Sequence, residues 1–114
     1  MIRCQIRTIT PDEVFEMLCN LHPRYTDFWD DRVMKREGKL VAEGLKPIAY
    51  VNPDGVLYDG ALALSGIFEH GEPSECVIIC APEAKQFAGR KEYPPALRKI
   101  EKDNWLLRKK NVNL

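Results

Sequence analysis

No apolar run in this 114-residue chain approaches the roughly 20 residues that a membrane-spanning helix needs. Nor is there a P-loop or a G-x-G-x-x-G pattern, so the common phosphate-cradling signatures are missing. Cysteines are few: Cys4, Cys19, Cys76 and Cys80. Their one close pair is C-x3-C in "CVIIC", and neither His22 nor His70 stands at finger-type spacing from it. A zinc site is set aside, and reduced, buried thiols are expected instead. Ser65 and Ser74 have no neighbouring His-Asp arrangement, and no catalytic residue is assigned. "MIRCQIRTIT" opens directly on an alternating pattern with no secretory leader visible, and the expectation is a cytosolic protein. No repeat or low-complexity tract is present.

What is there is an ordinary globular composition, 45% hydrophobic and 30% charged, at a length suited to one core. Net charge is zero but unevenly spread. Residues 1–84 hold 8 basic and 14 acidic side chains, and residues 85–114 hold 9 basic against 3 acidic. Such asymmetry points to a polyanion-facing tail. The alternative is a basic segment neutralised by the acidic body of the same chain.

Periodicity places the elements. "IRCQIRTI" (2–9) alternates as a half-buried strand. "TPDE" then gives Thr10 as N-cap, Pro11 at the first helical position and Glu13 closing a capping box. Val14, Met17, Leu18 and Leu21 form the apolar stripe of that helix. A second helix is expected over residues 24–39, capped by Thr26 or Asp27 and stopped by Gly38, with Tyr25, Phe28, Trp29, Val33 and Met34 as core. "LVAEG" reads as a short extended segment, and "PIAYV" (47–51) as a strand. "NPDG" turns the chain and "VLY" returns as its partner. Residues 61–70 read as an apolar helix ending at Gly71, with Leu64, Ile67 and Phe68 in the core. "ECVIICA" reads as a central strand, followed by a short helix to Phe87 and a linker, "GRKEYPP". A basic helix over 96–110 would bury Leu97, Ile100 and Trp105 or Leu107. The fold class is α+β, a small mixed sheet with packed helices, divided as a domain over 1–90 and a basic helical extension over 91–114.

At residues 47–71, "PIAYVNPDGVLYDGALALSGIFEHG" resembles the signature region of the ParB/sulfiredoxin-like superfamily, in its phage-encoded ParB-like branch. The shared feature is a double Asp-Gly at fixed spacing, in a pattern whose second pair runs on as DGQHR. "ITPDEVFEML", "DDRVMKREGKLV" and "ECVIICAPEAKQF" resemble the flanking elements, so the likeness covers about residues 6–87. The resemblance implies a nucleotide- or nucleic-acid-facing corner at a helix N-terminus. Asp54, Gly55, Asp59, Gly60, Ala61 and Leu62 are therefore the anion- or nucleotide-binding candidates. Ala61, Leu62 and Ala63 stand where QHR is expected, so the side chains that would meet phosphate or move protons are lost. Asp59 reads equally well as a cap of the following helix.

The leading expectation is a non-enzymatic, phage-type accessory protein that binds a host macromolecule, either a host protein or nucleic acid. No cofactor is expected, a nucleotide at the Asp59 corner being the exception. The nucleic-acid candidates are Lys85, Arg90, Lys91, Arg98, Lys99, Lys102, Arg108, Lys109 and Lys110. In the rival arrangement Trp105, Leu106 and Leu107 anchor the tail on a protein surface, its charges pairing with Asp30, Asp31 or Glu43. Two alternatives stand beside these. One is a nucleotide-dependent enzyme or nuclease of the same superfamily, using Asp54, Asp59, Glu69 or His70. The other is a homo-oligomeric structural protein, a homodimer for instance, joined through the aromatic second helix.

Overall fold

The computed structural model describes residues 2–23, 30–83 and 94–112. Elements follow in the order β1 (Arg3–Ile9), α1 (Pro11–Leu18), α2 (Asp31–Ala42), β2 (Ile48–Val51), β3 (Leu57–Asp59), α3 (Ala61–His70), β4 (Ser74–Cys80) and α4 (Pro95–Lys110). The class is α+β, as the periodicities imply. The four strands make one mixed sheet in the order β1-β4-β2-β3. β4 runs antiparallel to β1 and parallel to β2, and β2 and β3 form an antiparallel hairpin. The near-continuous apolar strand is central, as its composition requires.

Side-chain alternation divides the core in two. Ala49, Leu57 and Cys76 face α1, α2 and α3, burying against Val14, Leu18, Leu40, Val41, Leu64 and Ile67. Tyr50, Tyr58, Val77 and Ile79 face the other way, and there Leu97 and Ile100 of α4 cover them. Tyr58 spends its hydroxyl on the Ala81 carbonyl at 2.9 Å, so the buried phenol is satisfied. The boundary at residue 90 lies outside the described residues, and α4 beyond it forms the third layer of the molecule. Of the tail's apolar residues, Leu107 is half-buried and Trp105 is 57% exposed. β3 does not end the sheet bare, because the Leu57 N–H donates to the Asn20 carbonyl and the Leu57 carbonyl accepts from the His22 N–H, both at 2.9 Å.

α1 starts as the capping box dictates. The Thr10 hydroxyl accepts from the Glu13 N–H, and the Glu13 carboxylate accepts from the Thr10 N–H, each at 3.2 Å. The Thr10 N–H donation, with the Arg7 guanidinium 3.0 Å away, holds the Glu13 carboxyl below its usual range. The helix ends at Leu18, and Leu21 extends the apolar stripe from the segment beside β3.

α2 departs from expectation. It begins after Asp30, whose carboxylate accepts from the Arg32 and Val33 N–H groups at 2.9 and 3.4 Å. It then runs through Gly38 to Ala42, so "LVA" is helical rather than extended. Gly38 is an interior contact and not a stop: a Cβ there would lie 2.9 Å from the Glu69 side chain of α3. Gly66 of α3 answers it, with a Cβ position 2.7 Å from the Glu37 carbonyl oxygen. Two glycines let the helices touch backbone to side chain, and tertiary contact outweighs the glycine propensity that suggested a stop. Thr26 and Asp27, expected as caps, and Tyr25, Phe28 and Trp29 lie outside the described residues, as do most of the short helix to Phe87 and of the linker.

α3 matches its expected span and ends at Gly71 in the left-handed region, φ 83°. Phe68, expected in the core, is 38% exposed and meets Phe15 of α1, ring centroids 5.8 Å apart. With Leu64 and Ile67 already filling the inward face, it is left at the rim. Cys76 is fully buried, and desolvation pushes its thiol from 9.0 up to about 11. Cys4, Cys19, Cys76 and Cys80 are all free thiols, and Cys19 is exposed. No helix among the described residues is long and apolar enough to cross a membrane.

Candidate functional site

The Asp-Gly corner is formed as a backbone device. Gly60 takes φ 86° between β3 and α3, and a Cβ there would run into the Ile48 carbonyl oxygen. Only glycine fits both the rotation and the approach. The Asp59 carboxylate accepts from the Gly60 N–H at 2.9 Å, so a negative charge already occupies the first donor of the corner. Ala61 is buried and Leu62 is 39% exposed, so Leu62 does not plug the site. Asp54 and Gly55 lie elsewhere, in the β2–β3 turn. There Asn52 accepts from the Asp54 and Val56 N–H groups at 2.9 and 3.0 Å. The two Asp-Gly pairs flank opposite ends of β3 and do not converge.

The charged tail resolves differently. Lys85, Arg90 and Lys91 lie outside the described residues. Arg98, Lys99, Lys102, Lys109 and Lys110 are exposed along α4, while Arg108 turns toward α2. Its guanidinium donates to the Glu37 carboxylate at 3.0 Å. Glu37 is only 4% exposed, and its second carboxylate oxygen has no hydrogen-bond partner among the described residues. Two side-chain amides hold α4 in the same place. Asn104 pairs with the Lys46 peptide, donating to its carbonyl at 2.8 Å and accepting from its N–H at 3.0 Å. Asn111 donates to Glu43 at 3.0 Å. Among the described residues the tail therefore meets acids of the body through Glu37 and Glu43 rather than Asp30 and Asp31.

Between the ends of α2 and α4 this leaves an open groove of about 740 Å³. Arg32, Lys35, Arg36 and Lys39 of α2 line one side, and Arg108 of α4 with its C-cap Asn111 the other. Leu40 and Val112 supply its apolar part. Asp30 fixes the helical frame, and that frame sends Met34, Leu40 and Val41 inward and the four cations outward. Their spacing is i, i+3, i+4 and i+7, one continuous stripe. Lys35, Arg36 and Lys39 carry no ion pair among the described residues, and Arg32 stands 4.0 Å from Asp30 with its side chain 95% exposed. The α2 cations along one wall of a concave surface, with the Glu37-paired Arg108 opposite, concentrate positive potential there. Guanidinium forks and ammonium groups are suited to phosphate oxygens.

The α2 cations were not among the candidates drawn from sequence. Half of the basic residues in the acidic first 84 positions fall within 32–39, and that clustering at helical spacing is the signal that could have found them. No group of three or more His, Cys, Asp or Glu able to hold a metal occurs among the described residues. Comparison of the chain with family models, with curated proteins and with solved structures returns no match.

Proposed function

We propose that this protein is a non-enzymatic binding protein for nucleic acid, the phosphate backbone lying in the groove between α2 and α4. The observation that carries the reading is the set of five cationic side chains from two elements around one groove, three of them without an acidic partner among the described residues. In this reading it is a phage-type accessory protein acting on a host macromolecule in the host cytoplasm. Kinship with the ParB/sulfiredoxin-like superfamily is part of the same proposal. The left-handed Gly60 between β3 and α3, at the second Asp-Gly pair, supports it.

The experiment is a binding titration of the full chain against a labelled oligonucleotide at low salt, alongside the Lys35→Glu/Arg36→Glu double variant. Both side chains are exposed, so the variant should melt like the parent. Binding by the parent and its loss in the double variant is the expected result. Equal binding by both would remove the groove as the site, and no binding by the parent would remove the function.

A further inference from the structure

Trp105 is an anomaly of α4. It is 57% exposed, on a helix that has buried Leu97 and Ile100. A tryptophan left to water offers a large, rigid ring face for stacking. Its surroundings are cationic. The Lys109 ammonium sits 5.0 Å from the ring centroid, a cation–π contact that keeps a positive charge beside the ring. Trp105 and Arg108 fall at i and i+3 on α4, so Trp105 lies one turn from a residue that lines the groove. Along the same helix Arg98, Lys102, Trp105 and Lys109 recur at i, i+4, i+7 and i+11, an exposed aromatic set among cations.

We infer that the occupant of the groove is single-stranded nucleic acid, with one base stacked on Trp105 while Arg108, Lys109 and the α2 cations meet the adjoining phosphates. The inference rests on the nucleic-acid reading above and narrows it. A duplex keeps its base faces stacked on one another, so it would use the cations and leave the indole idle. A single strand offers free π-faces, and stacking on an aromatic beside a basic groove is how such strands are held without sequence preference. The exposed apolar Val112 in the groove suits sugars and bases better than a bare phosphate row. DNA and RNA strands share this chemistry.

The test uses the full chain with three labelled probes of one length: a dT oligonucleotide, an rU oligonucleotide and a duplex. Trp105→Ala is expected to weaken single-strand binding by about 5- to 150-fold, the equivalent of one stacked base, and to leave duplex binding within error of the parent. Trp105→Phe should recover most of the loss. The exposed position makes both variants foldable, and equal melting temperatures check it. In a Trp29→Phe background, emission comes from Trp105 alone and should be quenched as the strand binds. The dT and rU arms report whether the sugar matters. Unchanged single-strand affinity in Trp105→Ala, with loss in Lys35→Glu/Arg36→Glu, would overturn stacking and keep the polyanion groove. Absence of binding to all three probes would overturn both.

Discussion

Gly60 shows how much one atom decides. The backbone there is left-handed and pressed against Ile48, so a methyl group meets two separate penalties. The rotation alone costs about 1–2 kcal/mol for an L side chain. Gly60→Ala should therefore lower the melting temperature by at least about 4–8 °C, read by thermal denaturation. An unchanged midpoint would mean the corner relaxes freely. This residue was legible in sequence, because Asp-Gly before an apolar helix announces a turn. Glu37 was not: between Arg36 and Gly38 in a charged segment it reads as solvated, and only the approach of α3 and α4 buries it. Cys76 offers a test by pH. Its folded thiol titrates near 11 and its unfolded one near 9.0, so the buried thiol contributes stability that is whole below pH 9. That contribution is lost as pH climbs toward 11, since the unfolded chain gives up its proton first. Denaturant midpoints of the parent and of Cys76→Val should converge or cross over this window. Parallel pH profiles would place the thiol in contact with solvent.

At the scale of elements, glycine misleads when only the local chain is considered. Gly38 ends nothing, and Gly66 lies mid-helix, because α2 and α3 come closer there than any side chain permits. Helix propensity favours Gly66→Ala by about 1 kcal/mol. Packing opposes it, since the new Cβ would fall 2.7–2.9 Å from Glu37 atoms of α2. Overpacking of that kind typically costs about 1–3 kcal/mol, so net destabilisation is expected in urea unfolding. A stabilised variant would show that the helix pair has room to move apart. α1, α3 and the two central strands were readable because a cap, a C-terminal glycine or an unbroken apolar run marked each boundary. The length of α2 was not, because its continuation depends on an α3 thirty residues away. The basic stripe has a different cause. Arg32, Lys35, Arg36 and Lys39 all lie within the expected helix over 24–39, and their common face shows only when its register is read for charge as well as for core.

Over the whole molecule, cations from both parts of the chain meet at one groove. Among the described residues, the helix that carries the C-terminal cations does not stand apart as a tail. α4 seals the second side of the sheet with Leu97 and Ile100, then delivers Arg108 to the α2 stripe. Stability and binding are thus carried by different parts of one helix, and two perturbations should separate them. A chain ending at residue 92 lacks the cover over Tyr50, Tyr58, Val77 and Ile79, and should bind a hydrophobic dye and lose cooperative melting. Salt should act on the other function alone. Arg108 is partly neutralised by Glu37, which leaves about four groove cations to displace counterions from a strand. At a slope of about −0.7 per phosphate contact on single strands, log affinity should fall with log salt at about −3. Lys35→Gln/Arg36→Gln removes two of those contacts without adding acids and should flatten the slope toward about −1.4. Since these side chains are exposed, the melting temperature should stay put while the slope changes. A slope near zero in the parent would mean that whatever binds here is not held by its charge.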